Sequence, residues 1–370
     1  MGGRDVYACM LDGIASATRV VRIETYIWKS GVVADRFLQA LHAAAARGVR
    51  VELLLDAFGC ESLGESYFNS LRAAGARVVH FNPHKWLRGS FRDHRKLLTI
   101  DGERAVVGGL NIADEYDGDG VESGWRDFAV ELRGAIVSAL DASLDEMFAL
   151  ADFAPMAVAR FAGGFRKRRR KSLAREEGPA ARLLVSGAGT RSGRLQRALR
   201  RDLSGSTDLT AYAAYLLPTG RIRRAMRRVA RRGSARLIVG ARSDVRLVQW
   251  AAERLYPFWL RSGVKLYEYQ PQVVHAKLIV IDDIVYVGSA NLDIRSLRIN
   301  YELLVRIESH ALAAQVRQTF DADLARCREI DRATWRQGRR WWYGLRSLWA
   351  YLLLVRLDPF LTRHGRSKRF

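Results

Sequence analysis

His94-Arg95-Lys96-Leu97-Leu98-Thr99-Ile100-Asp101 and His275-Ala276-Lys277-Leu278-Ile279-Val280-Ile281-Asp282 are the two stretches on which the fold turns. Each opens with a histidine and a lysine two residues apart, runs through four apolar or β-branched residues and ends in aspartate. Alternate residues of a strand share a face, so each His–Lys pair projects from one side. Asp101-Gly102 and Asp282-Asp283 are turn signals, after which the chain returns to Gly108-Gly109-Leu110-Asn111 and Gly288-Ser289-Ala290-Asn291. Each hairpin therefore delivers an asparagine, Asn111 or Asn291, beside its His–Lys pair. The second return is one residue shorter, a difference that a tighter hairpin tip absorbs.

Outward from these hairpins the chain spells one order of elements twice. The first copy predicts a strand at residues 20–28, a helix at 37–47, Gly48 and a strand at 49–56. The second answers with residues 209–217, 221–232, Gly233 and 235–239. A further helix closes on Gly75 or Gly263, as helix C-caps do, and short strands follow at 77–83 and 264–271. Beyond each hairpin comes a last strand, at 128–132 or 303–307, and another helix. This alternation predicts an α/β protein of two pseudo-two-fold halves, each a mixed sheet layered between helices, with the active site in the cleft at their interface. The expected division is a first half at residues 1–155, a linker at 156–180, a second half at 181–330 and a tail at 331–370. The second copy is preceded by an extra apolar strand at 182–186, which predicts a matching strand ahead of residue 1 in a longer version of the chain.

Of the 370 residues 49% are hydrophobic, and 61 Lys and Arg against 39 Asp and Glu leave a net charge of +22. Charges interleave with regular apolar runs, which excludes a disordered polyelectrolyte. So large an excess implies an anionic partner: nucleic acid, an acidic membrane or a phosphorylated substrate. Cys9, Cys60 and Cys327 lack the spacing of a zinc site and fit idle thiols in a reducing compartment. No apolar run approaches the roughly 20 residues that span a bilayer, and the first residues carry Arg4, Asp5 and Asp12 where a signal peptide would be apolar. A cytoplasmic location follows as the expectation.

The doubled residues suit chemistry at a phosphodiester. Lysine, asparagine and serine donate to non-bridging oxygens and offset the charge that builds as phosphorus becomes five-coordinate, which assigns Lys96, Lys277, Asn111, Ser289 and Asn291 to the phosphate. Neighbouring glycines allow close backbone approach to it. Two histidines from different halves take complementary parts: a neutral imidazole attacks phosphorus while an imidazolium protonates the departing oxygen. Asp127 and Glu302 open the last strand of each half, where either can hold a histidine through Nδ1–H and leave Nε2 for substrate. A protonated lysine two residues from each histidine repels metal ions, so no metal or other cofactor is expected.

These motifs resemble those that define the phospholipase D superfamily, two His-x-Lys-(x)4-Asp strings, and within it the shorter bacterial cardiolipin synthases that lack N-terminal transmembrane helices. Glu24-Thr25-Tyr26-Ile27, Arg47-Gly48-Val49-Arg50-Val51, Trp125-Arg126-Asp127, Asn291-Leu292-Asp293, Arg295-Ser296 and Asn300-Tyr301-Glu302 carry the likeness further. The resemblance implies His94, Lys96, Asp101, His275, Lys277 and Asp282 as catalytic residues, with a covalent phosphatidyl-histidine on His94, His275 as general acid and no metal. It implies transfer of a phosphatidyl group from one phosphatidylglycerol to another, releasing glycerol and giving cardiolipin. Phosphatidylethanolamine as donor, or water as acceptor in a phospholipase D-type hydrolysis, fits the same motifs. A nuclease is the weaker alternative and nucleic acid is not expected as a partner, because the basic clusters lack the interleaved aromatics of a base-stacking groove. A silent lipid-binding module is disfavoured by two full sets of catalytic residues.

Four segments bear on the partner. The run Arg166-Lys167-Arg168-Arg169-Arg170-Lys171 fits a solvated linker or an anchor for acidic lipid equally well. The loop His84-Lys85-Trp86-Leu87-Arg88, just before the first motif, is a candidate for receiving an acidic headgroup. The helix at 221–232 sets Ile222, Ala225, Met226 and Val229 on one stripe and arginines on the rest. The tail repeats Trp341/Trp342, Leu345, Leu348/Trp349 and Leu352 at helical spacing, the pattern of an amphipathic helix lying in a membrane interface. Together these predict a peripheral protein on the cytoplasmic face of an anionic phospholipid membrane.

Overall fold

The apolar residues flanking each hairpin become the centres of two sheets. The structure, a computed structural model, describes residues 2–64, 66–82, 91–152, 180–187, 193–337 and 341–357. The loop at 83–90 and nearly all of the expected linker, 153–179, lie outside the described residues.

In the first half α1 (Gly3–Ser16) leads to β1 (Val20–Thr25), α2 (Val32–Ala46), β2 (Arg50–Asp56), α3 (Asn69–Ala73) and β3 (Arg77–Phe81). The hairpin β4 (Leu97–Ile100) and β5 (Arg104–Gly108), then β6 (Ala129–Arg133) and α4 (Ala135–Asp152), complete it. The sheet runs β3-β2-β1-β4-β5-β6, with β1, β2 and β3 parallel and the rest antiparallel.

The second half opens with β7 (Ala181–Ser186) and α5 (Arg194–Asp202). Next come β8 (Asp208–Ala213), α6 (Gly220–Arg232), β9 (Ser234–Gly240), α7 (Arg246–Glu253), α8 (Tyr256–Ser262) and β10 (Lys265–Tyr269). The second hairpin is β11 (Lys277–Ile281) and β12 (Ile284–Gly288), followed by α9 (Ile294–Arg298), β13 (Glu302–Glu308), α10 (His310–Leu324) and β14 (Cys327–Ile330). The tail forms α11 (Arg332–Gln337) and α12 (Trp341–Leu352). This sheet, β14-β10-β9-β8-β11-β12-β13-β7, repeats the first and adds an edge strand at each end. The place ahead of β8 taken by α5 is taken ahead of β1 by α1, a helix that the repeat did not predict.

The two faces of each sheet are buried for different reasons. Outer faces pack on helices of their own half: Val21 and Ile23 against Phe37 and Leu41 in the first, Leu237 and Ile279 against Ile222, Met226 and Val229 in the second. One inner cluster draws on both halves, uniting Leu97, Val107, Leu140 and Met147 with Leu303 and Val305. Burying a side chain of this kind contributes about 1.5–3 kcal/mol, so the seam is a core in its own right and holds the cleft at a fixed width.

Leu97 faces Val107 and Leu278 faces Val287, so each asparagine is reached four residues after an equivalent pairing. The shorter second return is thus absorbed at the tip, in a turn of Asp282-Asp283 against Asp101-Gly102-Glu103.

Candidate active site

Backbone hydrogen bonds across the seam build the site. Ahead of the first histidine, His94 N–H donates to the Tyr301 carbonyl (2.9 Å) and Tyr301 N–H to that of Arg92 (2.9 Å). Ahead of the second, His275 N–H donates to the Arg126 carbonyl (2.9 Å) and Arg126 N–H to that of Val273 (2.8 Å). Each histidine strand is thereby laid beside the residue preceding the other half's carboxylate. His94 Nδ1 lies 3.1 Å from Glu302 Oε2, and His275 Nδ1 lies 2.7 Å from Asp127 Oδ2. A carboxylate accepts only, so the proton between each pair sits on Nδ1 and Nε2 is the nitrogen left for chemistry.

Lys96 and Lys277 project beside their histidines, as the period of two requires. Lys96 Nζ donates to the His94 carbonyl (2.7 Å), and Lys277 Nζ, also bonded to the His275 carbonyl, lies 2.8 Å from His275 Nδ1. Both lysines are buried. Burial pushes the Lys96 ammonium down to about 7, against the pull of Glu302, and lowers Lys277 as well. Burial and then the ammoniums of Lys96 and Lys277 drive His94 well below its ordinary value. His275 is lowered by burial and Lys277, but Asp127 opposes the shift through its hydrogen bond and charge. Burial raises Glu302 to about 7, with Lys96 working against it. The pair is therefore unequal: His94 is the more strongly deprotonated, and His275 has the firmer carboxylate.

Two groups of expected site residues are placed elsewhere. Asp101 and Asp282 stand at the hairpin tips, at the far end of β4 and β11 from the histidines. Asp101 accepts from the backbone N–H groups of Thr18 (2.9 Å), Arg19 (2.7 Å) and Val20 (2.7 Å); Asp282 accepts from those of Thr207 (3.1 Å) and Asp208 (3.0 Å). Both tie down the entry to a central parallel strand, and both take positive φ, 54° and 48°, at the turn. The structure thus sets both aspartates apart from the histidines they were grouped with. Ser289 donates its hydroxyl to Glu302 Oε2 (2.5 Å), which sets it beside the carboxylate that faces His94.

Asn111 is buried, with Oδ1 accepting from Ile27 N–H (3.1 Å) and Nδ2 donating to the Tyr116 hydroxyl (2.6 Å), which leaves one amide hydrogen. Asn291 is buried at the equivalent position. Gly109 answers Ser289 in the repeat because Asp127 fills the space there: a Cβ on residue 109 would sit 2.3 Å from Asp127 Oδ1. That close approach is of protein to protein, not of backbone to phosphate.

Aromatic walls escaped the sequence reading. The Tyr26 ring lies 4.8 Å from His94, and Tyr116 and Trp125 lie 5.2 and 5.5 Å from His275, with the Tyr116 hydroxyl 3.4 Å from Nε2. Tyr26 and Trp125 stand in the strings that carry the family resemblance; Tyr116 has no twin in the repeat to signal it, because Ser296 takes that position. Of the isolated histidines, His42 bonds Ser70 (3.2 Å) and His310 bonds Asp283 (2.9 Å), both away from the site.

On the second half's outer side, α12 packs Ala350 and Tyr351 onto the core while Leu345, Leu348, Trp349 and Leu352 remain exposed, Trp349 by 62%. Arg223 of α6 donates to the Tyr351 hydroxyl (3.3 Å), so the arginine-rich helix adjoins α12. Among the described residues no helix is long and apolar enough to cross a membrane.

Comparison with known proteins agrees with this geometry. The family described as cardiolipin synthase, PLD-like domain, matches residues 10–125 and 199–324, one block in each half. Cardiolipin synthase A of Pseudomonas fluorescens is 31% identical over 351 residues, covering 92% of this chain and 71% of that protein. Cardiolipin synthase B of Escherichia coli strain K12 is 31% identical over 362 residues, covering 95% and 86%. In fold the chain is similar to phosphatidylserine synthase of Haemophilus influenzae Rd KW20, with a TM-score of 0.71 over 97% of this chain and 93% of that one at 14% identity. Twin histidine hairpins, a seam that joins them and relatives aligned across both halves place the chain in the phospholipase D superfamily, as a member of its cardiolipin synthase family of phosphatidyltransferases.

Proposed function

We propose that the protein makes cardiolipin from two phosphatidylglycerols through a phosphatidyl intermediate on His94, while docked on the cytoplasmic face of an anionic membrane. The observation that carries this is the inequality of the two histidines. With His94 held well below its ordinary value, its Nε2 is a free nucleophile at neutral pH. His275, whose lowering Asp127 opposes through Nδ1, is the one of the pair suited to carry the proton for the leaving group.

In the first half-reaction Nε2 of His94 forms a bond to phosphorus as the bond to the glycerol oxygen breaks, and that oxygen takes its proton from His275 Nε2. In the second, His275, now neutral, accepts the proton of a terminal hydroxyl on another phosphatidylglycerol. The alkoxide bonds to phosphorus and the P–N bond breaks. Ammonium groups of Lys96 and Lys277, with the spare amide hydrogen of Asn111, offset charge on the equatorial oxygens. Likeness to cardiolipin synthases supports cardiolipin as the product, and the exposed stripe of α12, with the arginines of α6 nearby, supports membrane docking.

Incubation of the purified chain with phosphatidylglycerol vesicles tests the reading. Cardiolipin and glycerol are expected in equal amounts, with none from H94A or H275A. Phosphatidic acid as the sole lipid product would make the protein a hydrolase. Turnover by H94A would remove the assigned nucleophile.

A further inference from the structure

An exposed acidic group stands at the mouth of this cationic site. Ala214, directly after β8, donates its N–H to the carbonyl of Ala276 (3.2 Å), which sets Tyr215 beside the strand of His275 and Lys277. The Tyr215 hydroxyl donates to Asp244 Oδ2 (2.7 Å), on the loop that follows β9. Asp244 is exposed, and among the described residues no lysine or arginine is within ion-pair distance of it. In a chain of charge +22, an unneutralised carboxylate close enough to favour the charged forms of His275 and Lys277 is out of keeping with phosphate binding.

The other side of the mouth is its opposite. Arg92, stacked on the Phe58 ring at 4.0 Å, donates to the Tyr26 hydroxyl (3.0 Å), and Tyr26 packs against His94. The mouth thus carries an arginine on the nucleophile's side and an exposed carboxylate on the acid's side. In-line displacement puts the leaving oxygen opposite the nucleophile, so the departing headgroup, and the alcohol that replaces it, lie on the side of His275 and Asp244.

We propose that Asp244, braced by Tyr215, is the headgroup subsite, and that it selects an alcohol bearing a second hydrogen-bond donor next to its reacting hydroxyl, either a vicinal hydroxyl or an ammonium. This rests on the transfer reading above. The acceptor's second donor bonds to Asp244, its reacting hydroxyl faces Nε2 of His275, the proton passes to that nitrogen, the new P–O bond forms and the bond from His94 to phosphorus breaks. A phosphate or a bare alkyl chain finds no partner there.

The test uses the full chain on phosphatidylglycerol vesicles with deuterated glycerol, ethanolamine or ethanol as acceptor, following headgroup exchange by mass spectrometry. A hydrogen bond to a charged group is worth about 1.5–3 kcal/mol, or roughly 10- to 100-fold. The wild-type protein is expected to use the two-donor alcohols over ethanol by at least about 10-fold. D244N is expected to raise KM for the favoured acceptor by a similar factor while leaving that for ethanol in place, and D244E to recover part of the loss. Preference for glycerol identifies a polyol subsite, and preference for ethanolamine an ammonium subsite. An active D244N that discriminates as the wild type does overturns this proposal alone. A wild-type protein that exchanges no headgroup overturns the transfer reading and this one with it.

Discussion

Asp127, at the end of the first half, lies 2.7 Å from Nδ1 of His275 in the second. With the reciprocal contact of Glu302 and His94, it means that neither half contains an oriented histidine of its own. The seam therefore positions both rings, through the residues that bond across it, Tyr301 and Arg126. Arg126 is itself fixed by a two-pronged ion pair to Asp323 of α10, at 2.9 and 3.1 Å.

The two carboxylates differ enough to predict different losses. Asn in place of Asp127 presents an amide to Nδ1 and disfavours the tautomer in which Nε2 is free, a change that costs up to about 10,000-fold in kcat in comparable dyads. Glu302 is raised to about 7 and so is partly protonated at neutral pH, which makes its carboxylate the less committed partner. D127N is expected to lower kcat by at least about 100-fold and E302Q by less, with KM for lipid little changed in both. Steady-state rates on phosphatidylglycerol vesicles decide it; equal losses would count against an unequal pair.

The hairpin aspartates predict a stability effect in place of a catalytic one. Replacing Asp101 with alanine removes an acceptor from three backbone N–H groups, at about 1–2 kcal/mol. Burial would raise the Asp101 carboxyl, but the N–H groups of Val20, Thr18 and Arg19 outweigh it and hold the group below its ordinary value. Its contribution is therefore complete above about pH 4 and is lost as pH falls through the lowered value. Urea unfolding at neutral pH should show D101A less stable, with the gap closing in acid, while kcat at neutral pH stays within about threefold of wild type.

Activity should follow a bell in pH. On the acid side it falls as His94 becomes protonated, which happens well below 6.5 because burial and the two lysines resist a third positive charge. On the alkaline side it falls as His275, itself lowered by burial and Lys277, gives up the proton owed to the leaving group, and further as Lys96 loses its proton near 7 and no longer offsets charge on the phosphate. A profile of kcat/KM from about pH 5 to 9 locates both limbs. A plateau reaching the ordinary lysine value near 10 would mean that substrate binding restores the ammonium.

Most of this arrangement was legible because it is written twice. The hairpins β4–β5 and β11–β12, Gly75 and Gly263, and the carboxylates ahead of each last strand all declare themselves by recurrence, and β5 and β12 end at the expected glycines, Gly108 and Gly288. What recurrence conceals is any difference between the copies. Tyr116 opposite Ser296, and Gly109 opposite Ser289, take their meaning from contacts made across the seam, which no local spacing encodes. One recurrence has a different physical origin. Asp101 and Asp282 recur as faithfully as the histidines, but four strand residues carry them to the far end of the sheet, so their recurrence reflects the folding of the hairpin.

The tail helix is buried on one side only. One side of α12 is core, through Ala350 and Tyr351, and the opposite side leaves Leu345, Leu348, Trp349 and Leu352 in contact with solvent. Those four follow the i, i+3, i+4, i+7 spacing of a single helical stripe, and Arg221, Arg224 and Arg228 on neighbouring α6 are exposed to meet anionic headgroups. Burying a leucine or tryptophan in lipid contributes about 1.5–3 kcal/mol, so charge placed on the stripe should act on membrane affinity with little effect on folding. L348E combined with W349E is expected to reduce sedimentation with anionic vesicles by at least about 10-fold. Turnover of a short-chain phosphatidylglycerol below its micellar concentration should be preserved. Reversing the charge of Arg224 and Arg228 should weaken vesicle binding in low salt and matter less as salt screens the headgroups. If the leucine–tryptophan variant binds vesicles as the wild type does, the stripe is not the docking face.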